Sequence, residues 1–77
     1  MTKKDVIKLL EQIATYMELK GENTFKISAY RKAAQSLELD ERPLEDISDV
    51  TELKGIGKGV AEVINDYRNT GESQYLQ

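Results

Sequence analysis

A chain of 77 residues with a net charge of −3, a single proline, and neither cysteine nor histidine is one small domain or a piece of a larger protein. Without thiols or imidazoles it has no disulfide staple and no ligand set suited to a catalytic transition metal. No apolar run approaches the roughly 20 residues of a membrane span, and no apolar stretch follows Lys3 and Lys4 to make a secretory signal, so the expectation is a soluble intracellular protein.

Thr2, with Asp5 three positions on, forms a capping pair for a first helix. Val6, Leu9, Leu10, Ile13 and Met17 recur at helical spacing, Tyr16 lies beside them, and Gly21 after Lys20 supplies the stop, which predicts a helix over about 3–20. Asn23 or Thr24 can cap a second helix, whose apolar face is Ile27 or Phe25 followed by Tyr30, Ala33, Ala34 and Leu37. The small residues Ala29, Ala33 and Ala34 let another helix approach closely. The acidic stretch around Asp40 ends this element. Pro43 suits the first turn of a short helix through Leu44 and Ile47, and Asp49 can cap one more turn through Leu53. A last helix is expected over about 58–68, with Val60, Ile64 and Tyr67 on one face and Gly71 as its stop. No segment alternates with period two, so the fold class is all-α: a small four-helix bundle with short links and a modest core.

Charge is unevenly distributed. Glu38, Asp40, Glu41, Glu45, Asp46, Asp49 and Glu52 crowd one segment, answered there only by Arg42, while Lys26, Arg31, Lys32, Lys54 and Lys58 lie outside it. A basic face opposite an acidic one and a mixed-sign solvated surface both fit this pattern.

Between the acidic segment and the last helix runs Leu53-Lys54-Gly55-Ile56-Gly57-Lys58-Gly59-Val60-Ala61. Glycines permit φ > 0 and close approach of a ligand. The helix that follows has unpaired N–H groups and the positive end of its dipole at this point, which together can hold an anion without a basic side chain. A dinucleotide fingerprint needs a preceding strand and a later third glycine, and a P-loop needs Ser or Thr where Gly59 stands. In a helix-hairpin-helix every position has a physical role. Leu53 and Ile56 anchor, Gly55 and Gly57 turn, and Val60, Ala61 and Ile64 seat the second helix.

The pattern Leu53-x-Gly55-Ile56-Gly57-x-x-x-Ala61 resembles helix-hairpin-helix motifs, and Ala29-Tyr30-Arg31-Lys32-Ala33-Ala34 resembles a helix of family X DNA polymerases. Both blocks stand in the order and spacing of the N-terminal domain of polymerase beta-like enzymes. The segment from Met17 to Asn23 looks most like the bacterial members. The resemblance covers nearly the whole chain. It implies a single four-helix DNA-binding domain over 1–77, with the hairpin motif at about 49–68, excised from the N-terminus of a longer polymerase. An apolar Leu76 at the chain end suggests the same truncation.

By the same resemblance, Gly55, Gly57 and Gly59 offer N–H groups to DNA phosphate, with Lys54 and Lys58 adding charge. The carbonyls of Thr51, Leu53 and Ile56 match the family's monovalent-cation site, for sodium or potassium, and magnesium is expected only in the missing polymerase core. Lys26 and Tyr30 match two members of the 5′-phosphate pocket. For Tyr30 a core tyrosine with its hydroxyl at the surface is equally open, and the alternative for Lys26 is an ordinary exposed lysine. Arg31 and Lys32 read as helix-surface charges, one of which could reach DNA.

The family's lyase lysine aligns with Val63, which cannot form an imine, and a further pocket lysine aligns with Gly59. The fragment is therefore expected to bind without cleaving. The parent protein is expected to be a DNA-directed DNA polymerase, a nucleotidyltransferase of base excision repair, with an exonuclease activity common in bacterial members. The implied partner is gapped DNA carrying a 5′-phosphate, bound by a cytoplasmic monomer that joins the nucleoid when on DNA and has no membrane association. With about 2–3 phosphates neutralised, log K should fall with log salt at a slope of about −2 to −3. The competing reading is a helical protein-interaction module that docks through its acidic face at 38–52.

Overall fold

The computed structural model describes residues 2–70, apart from the side chain of Thr70. Three α-helices, α1 (Lys3–Lys20), α2 (Thr24–Leu39) and α3 (Lys58–Thr70), are joined by a tight turn and by a longer connector holding two 3₁₀ turns, Leu44–Asp46 and Val50–Glu52. The described residues contain no strand, as the absence of alternation requires. Gly71 and Leu76 lie outside the described residues.

Local chemistry sets the boundaries of α1. The Thr2 hydroxyl accepts the Asp5 N–H at 3.3 Å while the Asp5 carboxylate accepts the Thr2 N–H at 3.0 Å, a reciprocal capping box. These bonds also hold the Asp5 carboxyl below its ordinary pKa. At the other end Gly21 takes φ +74°, its N–H donates to the Glu18 carbonyl at 3.1 Å, and the Glu22 N–H donates to Met17 at 2.9 Å. That is the 6→1 and 5→2 pairing of a Schellman stop. For α2, Asn23 rather than Thr24 is the cap, its side chain accepting the Phe25 N–H at 2.7 Å.

Val6, Leu9, Leu10, Ile13, Ala14 and Met17 form the buried stripe of α1. It packs on α2 through Ile27, Tyr30, Ala33, Ala34 and Leu37, and the fully buried Ala33 and Ala34 permit the close approach that makes α1–α2 the principal helix pair. Ile27 takes the inward position, and Phe25 is left 85% exposed. Arg31 joins the two helices at the surface by an ion pair with Glu18 at 2.6 Å, which lowers the Glu18 pKa.

The fourth helix of the expected bundle does not form. Leu44–Asp46 and Val50–Glu52 are single 3₁₀ turns of three residues each. Pro43 stands just before the first, with no side-chain cap bond, and Ile47 leaves helical geometry at φ −105°, ψ 96°. Asp49 then restarts the chain by accepting the Thr51 N–H at 3.0 Å. Turns this short suit i→i+3 bonding, which is not sustained in longer runs. The connector is still part of the core, because Leu44, Ile47 and Val50 are buried with Ile56, Val60, Ala61 and Ile64. Arg68 of α3 fastens it further, donating to the carbonyls of Ile47 at 3.1 Å and Leu44 at 3.3 Å. The last helix runs two residues past Arg68.

Candidate nucleic-acid interface

The second 3₁₀ turn closes when the Leu53 N–H donates to Val50 at 3.1 Å, and the Ile56 N–H then donates back to Leu53 at 3.2 Å. Gly55 lies between these bonds at φ +89°, in the region L side chains avoid, so this turn needs glycine. Ile56 points inward and is buried, fixing the loop to the core. The Ser36 hydroxyl on α2 donates to the Lys54 carbonyl, which holds the hairpin against the Lys32–Ser36 turn of that helix.

Past the turn, the Ala61 N–H donates to the Gly57 carbonyl at 3.0 Å, making Gly57 the residue that opens α3. Positive φ is not the reason for glycine at 57 or 59, since among the glycines of the described residues only Gly21 and Gly55 adopt it. A Cβ built at Gly57 or Gly59 would meet nothing within 4 Å. What glycine provides at these positions is bare backbone above the start of a helix.

Helices α1 and α2 and the second 3₁₀ turn each have a side chain accepting one of their first N–H groups. At α3 the cap position has no side chain, and the first turn contains no acidic residue. The N–H groups of Lys58, Gly59 and Val60 therefore begin a helix whose dipole is unanswered by its own sequence. Lys54, Gly55, Gly57, Lys58 and Gly59 are all exposed around that point, and no ion pair within the described residues involves Lys54, Lys58 or Lys32.

Lys26 and Tyr30 lie elsewhere on α2. Lys26 stands six positions before Lys32, about 9 Å along the helix axis. The Lys26 ammonium is 3.6 Å from the Glu22 carboxylate, and the Tyr30 ring is a core side chain only 7% exposed. Val63 is half-buried against the core. Of the carbonyls expected to hold a monovalent cation, that of Leu53 already accepts the Ile56 N–H, which leaves it one lone pair, while Thr51 lies in the 3₁₀ turn before it and Ile56 ends the turn after it.

The acidic segment is partly neutralised from within. The Arg42 guanidinium donates to both Asp40 oxygens, at 3.1 and 3.0 Å, and to Glu52 at 3.1 Å. These bonds pull the Asp40 carboxyl down to about 2 and raise the Arg42 pKa. Asp40 and Lys32 line the same groove beside the hairpin, so the two signs meet there. That groove escapes a reading made element by element. Its signal is a second stripe on α2, Lys32, Ser36 and Leu39, spaced i, i+4, i+7.

A glycine-bent hairpin that seats a buried apolar residue and presents the bare start of a helix defines a helix-hairpin-helix domain. The chain belongs to that family, whose model, described as "Helix-hairpin-helix domain", matches residues 1–73. Over all 77 residues the chain is 56% identical to the N-terminal region of the DNA polymerase/3'-5' exonuclease PolX of Bacillus subtilis (strain 168), and it spans 14% of that relative's length. No helix among the described residues is long and apolar enough to cross a membrane.

Proposed function

We propose that this chain grips the phosphodiester backbone of DNA, without reading sequence, and serves as the DNA-holding domain of a gap-filling repair polymerase. The observation that carries the reading is the uncapped start of α3, where Gly57 and Gly59 leave open space and Lys54 and Lys58 have no ion-pair partner among the described residues. A phosphate oxygen placed there would accept backbone N–H groups, in the favourable field of the helix dipole, as anions do at helix N-termini. Backbone donors hold any nucleotide equally, because phosphate contacts position without specifying. Family membership and the similarity to PolX support the same partner.

The preferred substrate in this reading is a gap whose downstream strand bears a 5′-phosphate. Lys26 contributes charge to that end group once it exchanges Glu22 for phosphate, and Tyr30 supports the α2 backbone from the core. A sodium or potassium ion on the carbonyls of Thr51, Leu53 and Ile56 would bridge the hairpin to the phosphate, since oxygen-only donors suit such ions. With valine at 63 the domain binds and does not cleave. Nucleotide transfer, with its magnesium, would belong to a separate catalytic domain.

The test is an NMR titration at low salt with short gapped DNA carrying either a 5′-phosphate or a 5′-hydroxyl. Larger shifts at Gly55–Val60 with the phosphate are expected. Equal shifts would reduce the role to a generic backbone clamp. Shifts confined to 38–52 with a protein partner, and none at the hairpin with DNA, would refute the reading in favour of acidic docking.

A further inference from the structure

Beside the hairpin lies an open groove of about 730 Å³, walled by Lys32, Gln35 and Leu39 of α2 and by Leu53 and Lys54 of the hairpin. Its free charge is positive. Lys32 and Lys54 have no ion-pair partner among the described residues, whereas Asp40, the carboxylate at the rim, is held by Arg42 through the bonds described above. The groove is continuous with the hairpin surface at Gly55. A Cβ on Gly55 would stand in ordinary contact, 3.7 Å from the Cβ of Lys32 and 3.5 Å from the Ser36 hydroxyl, so the hairpin backbone lies close against this turn of α2 and joins the groove to the hairpin surface.

We infer that this groove carries the DNA strand onward from the hairpin, with Lys32 and Lys54 holding a second phosphate and Leu39 and Leu53 facing the sugar. The inference rests on the DNA-binding reading and adds Lys32, a residue of α2 outside the hairpin, to the contact. The occupant is a polyanion because, among the described residues, the charges in the groove without an ion-pair partner are cationic. The apolar floor fits deoxyribose, and Leu39, 75% exposed, is the largest apolar surface the strand would cover. Lysine can lay its methylene stem along such a floor while its ammonium meets phosphate.

The test measures DNA affinity against salt for the wild type, Lys32→Gln, Gly57→Ser and Lys8→Gln. Lys8 lies in a separate cleft of α1 with Glu11, Gln12 and Tyr16, and serves as the control. Each phosphate contact adds about 0.9 to the log–log salt slope. Lys32→Gln should therefore flatten the slope by about 0.9 and weaken binding roughly eightfold at 0.1 M salt, relative to curves that converge near 1 M. Lys8→Gln should superimpose on the wild type. A Lys32→Gln curve that also superimposes, while Gly57→Ser binds weakly, overturns the groove and leaves the hairpin standing. Equal loss in Lys32→Gln and Lys8→Gln overturns it too, by reducing Lys32 to bulk charge. A wild type with no DNA affinity overturns both readings.

Discussion

Gly57→Ser should move stability and DNA affinity in opposite directions. Residue 57 opens α3, and a side chain there has free space. Serine at a helix cap accepts an N–H of the first turn, here that of Gly59 or Val60, and is better than glycine by a few tenths of a kcal/mol. For a domain of this size that raises Tm by about 2 °C. The bonded N–H is then withdrawn from phosphate, and the hydroxymethyl group occupies the space a phosphate oxygen needs. Losing one hydrogen bond to a charged acceptor costs about 1.5–3 kcal/mol, or roughly tenfold to 150-fold in Kd. Thermal unfolding by circular dichroism gives the first quantity, and fluorescence anisotropy with gapped DNA at low salt gives the second. A raised Tm with unchanged affinity would remove the α3 amides from the interface. A lowered Tm would show that the fold, not a ligand, requires glycine at this position.

Further outcomes follow from the same geometry. Gly55→Ala forces a Cβ into φ +89° and should cost about 1–2 kcal/mol, a Tm loss of at least 4 °C; an unchanged melt would mean that the hairpin relaxes freely. The Asp40 carboxyl should titrate near 2 by carbon-13 NMR and return toward 3.8 in Arg42→Gln. Because its folded pKa is depressed, the stability it lends is present above 3.8 and is lost as pH falls from there toward 2. An acid unfolding curve that is identical in Arg42→Gln would refute the coupling. Replacing potassium by tetramethylammonium at constant ionic strength should weaken DNA binding if the carbonyls of Thr51, Leu53 and Ile56 bridge a cation to phosphate, and equal affinities would dismiss that ion.

The helices and their caps are legible in the sequence because local rules determine them. Thr2 with Asp5, Asn23 and Gly21 act on neighbours within five residues, and the structure places each as such rules require. The choice between Ile27 and Phe25 is not local. Both fall near the apolar face of α2, and only the position of α1 decides that Ile27 turns inward. The connector is harder still. Its apolar residues Leu44, Ile47 and Val50 suggest helix, while Pro43 and Asp49 break it into single 3₁₀ turns whose burial depends on α3. At the site, the Gly-Ile-Gly pattern marks the hairpin, but the roles of its glycines are separable only in three dimensions: Gly55 serves the backbone, and Gly57 and Gly59 serve open space. One wall of the α2 groove is a stripe visible in the sequence, Lys32, Ser36 and Leu39, but the other depends on the Ser36–Lys54 contact across 18 residues, which no periodicity announces.

The bare start of α3 also shapes how this surface can be lost. Its donors belong to the main chain, so truncating side chains cannot delete them; in an alanine scan, truncation would register only at the lysine rim, whereas alanine at Gly57 or Gly59 adds a methyl group. Damage has to come from added atoms, such as a methyl group, a capping hydroxyl, or a proline ring that replaces an N–H. Proline at Lys58 would be tolerated by the first helical position and yet erase one donor. At the start of α3, in the proposed interface, loss therefore comes from enlarging a residue, and Gly57 and Gly59 already stand at the lower limit of size.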